Sequence, residues 1–114
     1  MRCESLDVWK RSCRLSVDVY KAFATCKDYG FKDQITRSSL SIASNIAEGF
    51  EKDSDKEKQR YIEISKGSSA ELITQIYIGI EIGYIDKSQG FIWIKELKEI
   101  LRILESLKRK KNNE

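Results

Sequence analysis

The chain has 114 residues, of which 40% are hydrophobic and 34% charged, and it contains six glycines, no proline and no histidine. This length predicts one domain with its own core, and the shortage of turn-forming residues argues against a sheet-rich sandwich or barrel. Without histidine the commonest general base and metal ligand are missing, which argues against an enzyme, and a net charge of +3 does not by itself indicate a nucleic-acid partner.

The first helix is predicted over about residues 6–27, with Ser5 as its N-cap. Its apolar residues recur every three or four positions and therefore share one face; they are Trp9, Cys13, Val17, Tyr20 and Ala24. We expect this face to enter the core. Gly30 is predicted to end the helix in the left-handed conformation that glycine favours.

The second helix is predicted over about residues 32–49. Its inward-facing row is Ile35, Ser39, Ile42 and Ile46. The helix is rich in serine and alanine, and serine is a poor residue for a helix interior. We therefore expect small side chains here because another helix backbone approaches closely, and we expect Gly49 to end the helix.

The third helix is predicted over about residues 55–83 and begins with the capping-box pattern of Ser54 and Glu57. Isoleucines alternate with other residues over positions 76–82, which is also typical of a strand. The same residues continue the helical spacing from Leu72, and the sequence offers no second strand to pair with. We therefore predict a helix.

The fourth helix is predicted over about residues 87–110, with Asp86 as its cap and Gln89 three residues later. A heptad-like seam follows at Trp93, Leu97, Ile100, Leu104 and Leu107. Four helices joined by short connections predict an all-α fold, an antiparallel up-down-up-down four-helix bundle that forms a single domain over residues 1–114.

The sequence carries no signal for a membrane, a metal or a cofactor. Its most apolar stretch, residues 72–85, is too short and too polar to span a bilayer, and the N-terminus lacks the apolar run of a signal peptide. The three cysteines show no C-x-x-C spacing. We therefore expect a cytoplasmic protein with no membrane association, no cofactor and no metal site.

Polar residues form a stripe along the second and third helices. They are Arg37, Ser41, Asn45 and Glu48, followed by Ser68, Glu71 and Gln75. A solvated face is the simplest explanation, but the neighbouring residues are small. We therefore predict a packed polar contact between helices or between subunits, in which a buried Arg–Glu pair sets the register. Convergence of Glu48 and Glu71 into a hydrolytic carboxylate pair is a weaker alternative.

Basic residues are in excess at both ends of the chain. Residues 1–30 carry six basic and four acidic side chains, and residues 85–114 carry eight and five. The clusters are Lys10, Arg11 and Arg14, and the run Lys108, Arg109, Lys110 and Lys111. Such residues neutralise phosphates, although a solubilising surface is the alternative. Because an oligomer multiplies weak sites, we predict RNA or DNA binding without sequence specificity through these seven residues.

The segment SIASNIAEGF at residues 41–50 resembles the signature of the bacterial four helix bundle protein family. These proteins are also known as 23S rRNA intervening-sequence proteins and are sometimes labelled ribosomal. Further similarity is found in LDVW at 6–9, QITRSS at 34–39, GSSAEL at 67–72 and GYI at 83–85. The resemblance covers about residues 5–108 and departs from the family at Ala43, where proline is common.

The resemblance implies an antiparallel four-helix bundle that assembles as a homopentameric ring. It also implies a protein encoded within an rRNA intervening sequence, or an accessory protein of a diversity-generating retroelement. Accessory proteins of that kind bind a reverse transcriptase and nucleic acid.

Two functions from different classes remain after this reasoning. The favoured one is a non-enzymatic oligomeric scaffold that binds nucleic acid or a nucleic-acid enzyme. The alternative is a protein-protein interaction module with no role in nucleic-acid binding, and an unrecognised enzyme is a more distant third. Binding to an RNA or DNA strand that weakens as salt is added would distinguish the nucleic-acid-binding scaffold from the protein-interaction module, because contacts to phosphates release counterions.

Overall fold

A computed structural model describes residues 1–112 of the chain, with the side chains of residues 1–108. A short 3₁₀ helix, Arg2–Ser5, precedes four α-helices: α1 Asp7–Ala22, α2 Tyr29–Phe50, α3 Asp55–Glu81 and α4 Lys87–Asn112. No strand occurs among the described residues. The prediction of an all-α four-helix fold is therefore confirmed, and the isoleucine-rich end of α3 is helical.

The four helices form a bundle in which α1, α2, α3 and α4 pack in cyclic order, each against two neighbours. The bundle measures 46 × 21 × 21 Å. α2 and α3 run antiparallel, because Ser38 contacts Glu71 at 3.1 Å while the later Ser41 contacts the earlier Ser68 at 2.9 Å.

The core lies along the bundle axis and receives side chains from every helix. Its most deeply buried members include Val19, Phe23, Ile35, Ile42, Ile46, Ile62, Leu72, Ile76, Leu97, Ile100 and Leu104. The predicted inward rows of the second and fourth helices are among these residues or next to them. Burial of each such side chain stabilises the fold by about 1.5–3 kcal/mol. The apolar period of the sequence correctly identifies the buried faces of these helices.

The predicted core face of α1 is wrong. Val17 and Tyr20 are 49% and 45% exposed, Ala24 is exposed, and Trp9 and Cys13 are only half-buried. The face that enters the core consists of Val8, Leu15, Val19 and Phe23. The helix thus carries two apolar rows, and periodicity alone does not identify the row that meets the other three helices.

The connection between α1 and α2 also differs from the prediction. α1 ends at Ala22, and Tyr29 is already the first residue of α2. Asp28 caps α2, because its Oδ1 accepts a hydrogen bond from the backbone N–H of Phe31 at 3.1 Å. Gly30 therefore lies in the first turn of α2 and does not end α1.

The remaining helix ends match the predictions more closely. Ser54 caps α3 by accepting the backbone N–H of Glu57 at 3.3 Å, and Asp86 Oδ2 accepts the N–H of Gln89 at 3.2 Å. α3 ends two residues before Gly83, the one described residue with a positive φ, 84°. Ser5 is not a cap, because Leu6 is the N-cap of α1 and contributes no side-chain hydrogen bond.

Small residues allow α2 and α3 to approach closely, as the serine-rich sequence predicted. Ser65 and Ser69 of α3 are almost completely buried, and Ser65 Oγ donates a hydrogen bond to the Ile42 carbonyl of α2. α2 ends at Phe50, one residue after the predicted end at Gly49. A Cβ added at Gly49 would lie 2.9 Å from the Cβ of Tyr61. Within residues 1–112, no helix has the length and the apolar character needed to cross a bilayer.

Candidate nucleic-acid and subunit interfaces

Arg11 in the first basic cluster is held by one carboxylate of α4 and one of its own helix. Its Nε and Nη2 donate to Glu96 Oε2 and Oε1 at 2.8 and 2.6 Å, and its Nη1 lies 3.6 Å from Asp7 Oδ2. The hydrogen bond with Glu96 raises the pKa of Arg11 and lowers that of Glu96. This cation joins α1 to α4, so its charge is already balanced within the chain.

Lys10 and Arg14 in the same cluster are exposed. Neither forms an ion pair or a hydrogen bond with any side chain that the structure describes. They lie one turn apart on α1. Arg14 also lines a groove of about 500 Å³ between α1 and α4, whose charged lining is completed by Arg11, Lys95 and the acidic Asp18, Glu96 and Glu99. The free positive charge of this cluster therefore comes from Lys10 and Arg14.

The first residue of the basic run at the end of α4 is already paired with a carboxylate. Lys108 Nζ forms an ion pair with Glu63 of α3, and the hydrogen bond from Lys108 lowers the pKa of Glu63. The side chains of Arg109, Lys110 and Lys111 lie outside the described residues, so their predicted role stays a prediction.

The polar stripe is in part a contact between α2 and α3 of the same chain. Ser41 and Ser68 share a hydrogen bond, and Asn45 Nδ2 donates to the Ser41 carbonyl and hydroxyl oxygens at 2.8 and 2.9 Å. Glu71 accepts a hydrogen bond from Ser38 Oγ. Ser38 was missed by the sequence reasoning, although its position among the small residues of α2 was the available signal.

The predicted buried Arg–Glu pair is not formed within one chain among the described residues, and its formation between subunits stays a prediction. Arg37 and Glu48 are exposed, and neither makes an ion pair with the residues described. Glu48 and Glu71 do not converge either, because the partner of Glu71, Ser38, lies ten residues before Glu48 and hence about 15 Å away along α2. Gln75 carries a buried Oε1 with no hydrogen-bond partner among the described groups.

Two apolar surfaces remain exposed on the bundle, and one of them contains part of the row that the sequence placed in the core. The α1–α2 groove, of about 390 Å³, is lined by Cys13, Ser16, Val17, Tyr20, Lys21, Leu40 and Ala43. The α3 ridge consists of the exposed Ile64, Glu71, Ile78 and Ile82. In the sequence, the signal for the α1–α2 groove is the apolar row of α1 that contains Cys13, Val17 and Tyr20. Among the described side chains no group of histidines, cysteines or carboxylates is arranged to hold a metal ion.

These features occur on a chain whose sequence matches a known family model over most of its length. The model is described as 23S rRNA-intervening sequence protein and matches residues 4–106. The chain belongs to this family. The resemblance seen in the sequence is thereby confirmed, and the matched region contains Lys10, Arg14 and the polar stripe but stops before the run at residues 108–111.

A solved structure supports the fold of this 23S rRNA-intervening sequence protein. It is the crystal structure of a protein with unknown function from the S23 ribosomal protein family of Bacteroides thetaiotaomicron. The two proteins are 25% identical with a TM-score of 0.83, and the similarity covers 89% of this chain and 97% of that one. No curated protein matches the chain.

Proposed function

We propose that this 23S rRNA-intervening sequence protein is a non-enzymatic, homo-oligomeric scaffold of the cytoplasm that binds RNA or DNA, or an enzyme that acts on nucleic acid. The observation that carries the proposal is the pair of exposed cations Lys10 and Arg14, which have no carboxylate partner among the described residues. Arg11 of the same cluster and Lys108 of the run on α4 are instead paired with Glu96 and Glu63. The family description, which refers to an rRNA intervening sequence, supports a nucleic-acid context.

Two free cations on one subunit make a weak site, because each neutralised phosphate contributes only a part of the binding free energy. Assembly strengthens such a site, since one strand can then contact several subunits at once. The homopentameric ring implied by the family resemblance is the assembly we propose. Phosphate contacts carry no sequence code, so binding is expected to be unspecific.

The proposal is tested by the fluorescence anisotropy of a labelled single-stranded RNA titrated with the protein at several salt concentrations. We expect Lys10→Gln with Arg14→Gln to weaken binding and to reduce the salt slope by about 1.4, for two lost contacts of about 0.7 each. The matched control is Lys27→Gln with Lys87→Gln. It removes the same charge from two exposed lysines near the far end of α1 and is expected to keep the wild-type slope.

The absence of binding at micromolar protein in low salt would contradict the nucleic-acid part of the proposal. The second candidate function, a protein-interaction module without nucleic acid, would then be preferred. The exposed apolar α1–α2 groove favours it. A gene for a reverse transcriptase, or an rRNA insertion, beside the gene for this protein would identify the partner directly.

A further inference from the structure

The groove between α1 and α4, called the α1–α4 groove below, has the size of a small-molecule site. Its volume of about 500 Å³ lies within the range of about 300–1,000 Å³ that is usual for such sites. Arg11 and Glu96 close one end, where two hydrogen bonds join the helices. Asp18 lies seven residues after Arg11 and Gln89 seven residues before Glu96, and both line the groove. At about 1.5 Å per residue, the groove is therefore about 10 Å long.

Three charged side chains of this groove are left free by the chain, namely Arg14, Lys95 and Asp18. They are exposed and form no ion pair with any residue that the structure describes. The other carboxylates of the lining are engaged. Glu96 is bound by Arg11. Glu99 is paired with Arg102 of its own helix. Two free positive charges against one negative charge favour an anionic ligand.

The free cations lie near the closed end of the groove and the free carboxylate near the other end. Arg14 lies three residues, and Lys95 one residue, from the ion pair that closes the groove, so both are within about 5 Å of it along the helices. They come from opposite walls. Asp18 and Gln89 lie at the far end, about 10 Å from the ion pair. A ligand with its anion at one end and hydrogen-bond donors at the other matches this arrangement.

Between the two ends, the groove has an apolar floor with one unused hydrogen-bond donor. Leu15 and Trp93 are buried, and Ile92 on the rim is 62% exposed. The Nε1 atom of Trp93 is buried without a hydrogen-bond partner among the described groups, although a buried indole N–H normally has one. A ligand acceptor that reaches this N–H makes the hydrogen bond that the chain leaves unmade. The floor therefore suits a ring that carries acceptor atoms.

A segment of another protein fits the groove less well. Both walls are helices whose backbone groups are already bonded, so an extended peptide finds no strand edge to pair with. An amphipathic helix docks through about four apolar anchors that enter a hydrophobic groove. The α1–α4 groove offers three apolar residues, of which Leu15 and Trp93 already belong to the core.

We propose that the α1–α4 groove binds one nucleotide. Its phosphate lies between Arg14 and Lys95, and its base lies over Ile92 and Trp93. The carboxylate of Asp18 accepts a hydrogen bond from the exocyclic amino group of the base, so adenine, guanine and cytosine are favoured over uracil, which has no such group. The inference rests on the proposed function, because Arg14 is one of the two cations that carry it. It adds a preference at a single nucleotide to binding that is otherwise unspecific.

The first test measures free nucleotides by calorimetry and by tryptophan fluorescence in a Trp9→Phe background, where Trp93 is the remaining indole. We expect AMP, GMP and CMP to change the Trp93 emission and UMP to bind more weakly. Ribose 5-phosphate, which has no base, should bind at least about tenfold more weakly than AMP. Asp18→Asn should bring UMP to the affinity of the others, because an amide can also donate to uracil O4.

The second test changes the groove. Ile92→Asp places a carboxylate beside the phosphate and base, so we expect it to weaken AMP binding at least about tenfold. Ile64→Asp is the matched control, because Ile64 is an exposed isoleucine of α3 outside the groove, and it should bind AMP like the wild type. Arg14→Gln should weaken AMP and ribose 5-phosphate by the same factor, since it removes a phosphate contact alone. Circular dichroism checks that the variants stay folded.

A free nucleoside monophosphate and a unit of an RNA or DNA strand share this chemistry, and competition distinguishes the two sources. AMP that lowers the affinity for labelled RNA indicates a unit of the strand, and AMP that binds without this effect indicates a free nucleotide. Equal binding of AMP and ribose 5-phosphate, or unchanged AMP binding by Ile92→Asp, would overturn the nucleotide site. If RNA binds but millimolar AMP, GMP and CMP do not, the nucleotide site fails and the proposed function stands. If RNA does not bind either, both fail.

Discussion

Arg11 and Lys10 are adjacent in sequence but differ in what they can bind. Arg11 faces Glu96, which lies 85 residues away in the chain, and forms a two-bond contact with it. Lys10 is exposed and meets no carboxylate among the described residues. At the scale of the single residue, the availability of a cation is therefore set by the partner that the fold places opposite it.

The Arg11–Glu96 contact predicts a pH-dependent stability. In the folded chain the pKa of Glu96 is lowered below its ordinary value of 4.5 by the hydrogen bond from Arg11. Near that pH the unfolded chain binds more protons than the folded one, so stability rises with pH. The contribution of this pair is complete well above pH 4.5 and is lost as the pH falls through the lowered pKa.

We expect Glu96→Gln to reduce the free energy of unfolding by about 1 kcal/mol at pH 7 and by less at pH 3. Urea denaturation at both pH values measures the difference. Glu48→Gln is the control, since Glu48 is exposed without an ion pair among the described residues, and it should change stability at pH 7 by less than about 0.5 kcal/mol. Equal losses for Glu96→Gln at both pH values would contradict the assignment.

At the scale of the helices, the contact between α2 and α3 depends on side chains that are small or absent. Serines from both helices meet in this contact, where Ser65 Oγ also donates to the Ile42 carbonyl at 3.1 Å. Gly49 extends the close approach to the end of α2. A hydrogen bond from a short side chain satisfies a polar group without separating the helices, which explains a serine content that is unfavourable for an isolated helix.

Two helical glycines provide a matched test of this contact. Gly49→Ala places a Cβ 2.9 Å from the Cβ of Tyr61, so we expect a loss of about 1–3 kcal/mol through overpacking. Gly67→Ala adds a Cβ that meets nothing within 4 Å, and we expect a gain of about 0.5–1 kcal/mol from helix propensity. Thermal or urea denaturation of both variants measures whether each substitution lowers or raises the free energy of unfolding. A stabilised Gly49→Ala would show that α2 and α3 are less close than described.

At the scale of the whole molecule, a net charge of +3 is too small to bind a nucleic acid tightly by itself. Binding is therefore expected to depend on where the unpaired cations lie and on how many copies of the chain assemble. Six of the eighteen lysine and arginine side chains among residues 1–108 form ion pairs with carboxylates, as with Lys66, which contacts Glu63 and Glu105. The other twelve are spread over all four helices and the connections between them, so no single strong site results on one subunit. The proposed ring repeats them, so the affinity for a strand should depend on the oligomer more strongly than on any one cation.

This coupling predicts that breaking the assembly weakens nucleic-acid binding without removing a basic residue. Ile78→Asp changes an exposed residue of the α3 ridge and leaves Lys10 and Arg14 in place, and native mass spectrometry establishes whether the variant is a monomer. We expect a monomeric variant to bind a strand that spans several subunits at least about 10²-fold more weakly than the wild type. Tyr29→Asp introduces the same charge at an exposed residue outside both the α3 ridge and the α1–α4 groove, and it should bind like the wild type. Anisotropy measured with equal subunit concentrations compares the two, and equal affinities would show that binding does not require the oligomer.

Hydrophobic period and local capping are properties of short segments, so the sequence alone determined the helical class, the core rows of α2 and α4, and the caps at Ser54 and Asp86. The tertiary structure decided which apolar row of α1 enters the core, because both rows satisfy the helical period and only the position of the other three helices selects between them. It also decided which cations are free. Glu96 and Glu63, the partners of Arg11 and Lys108, lie on other helices and far away in the chain, where local sequence patterns cannot place them.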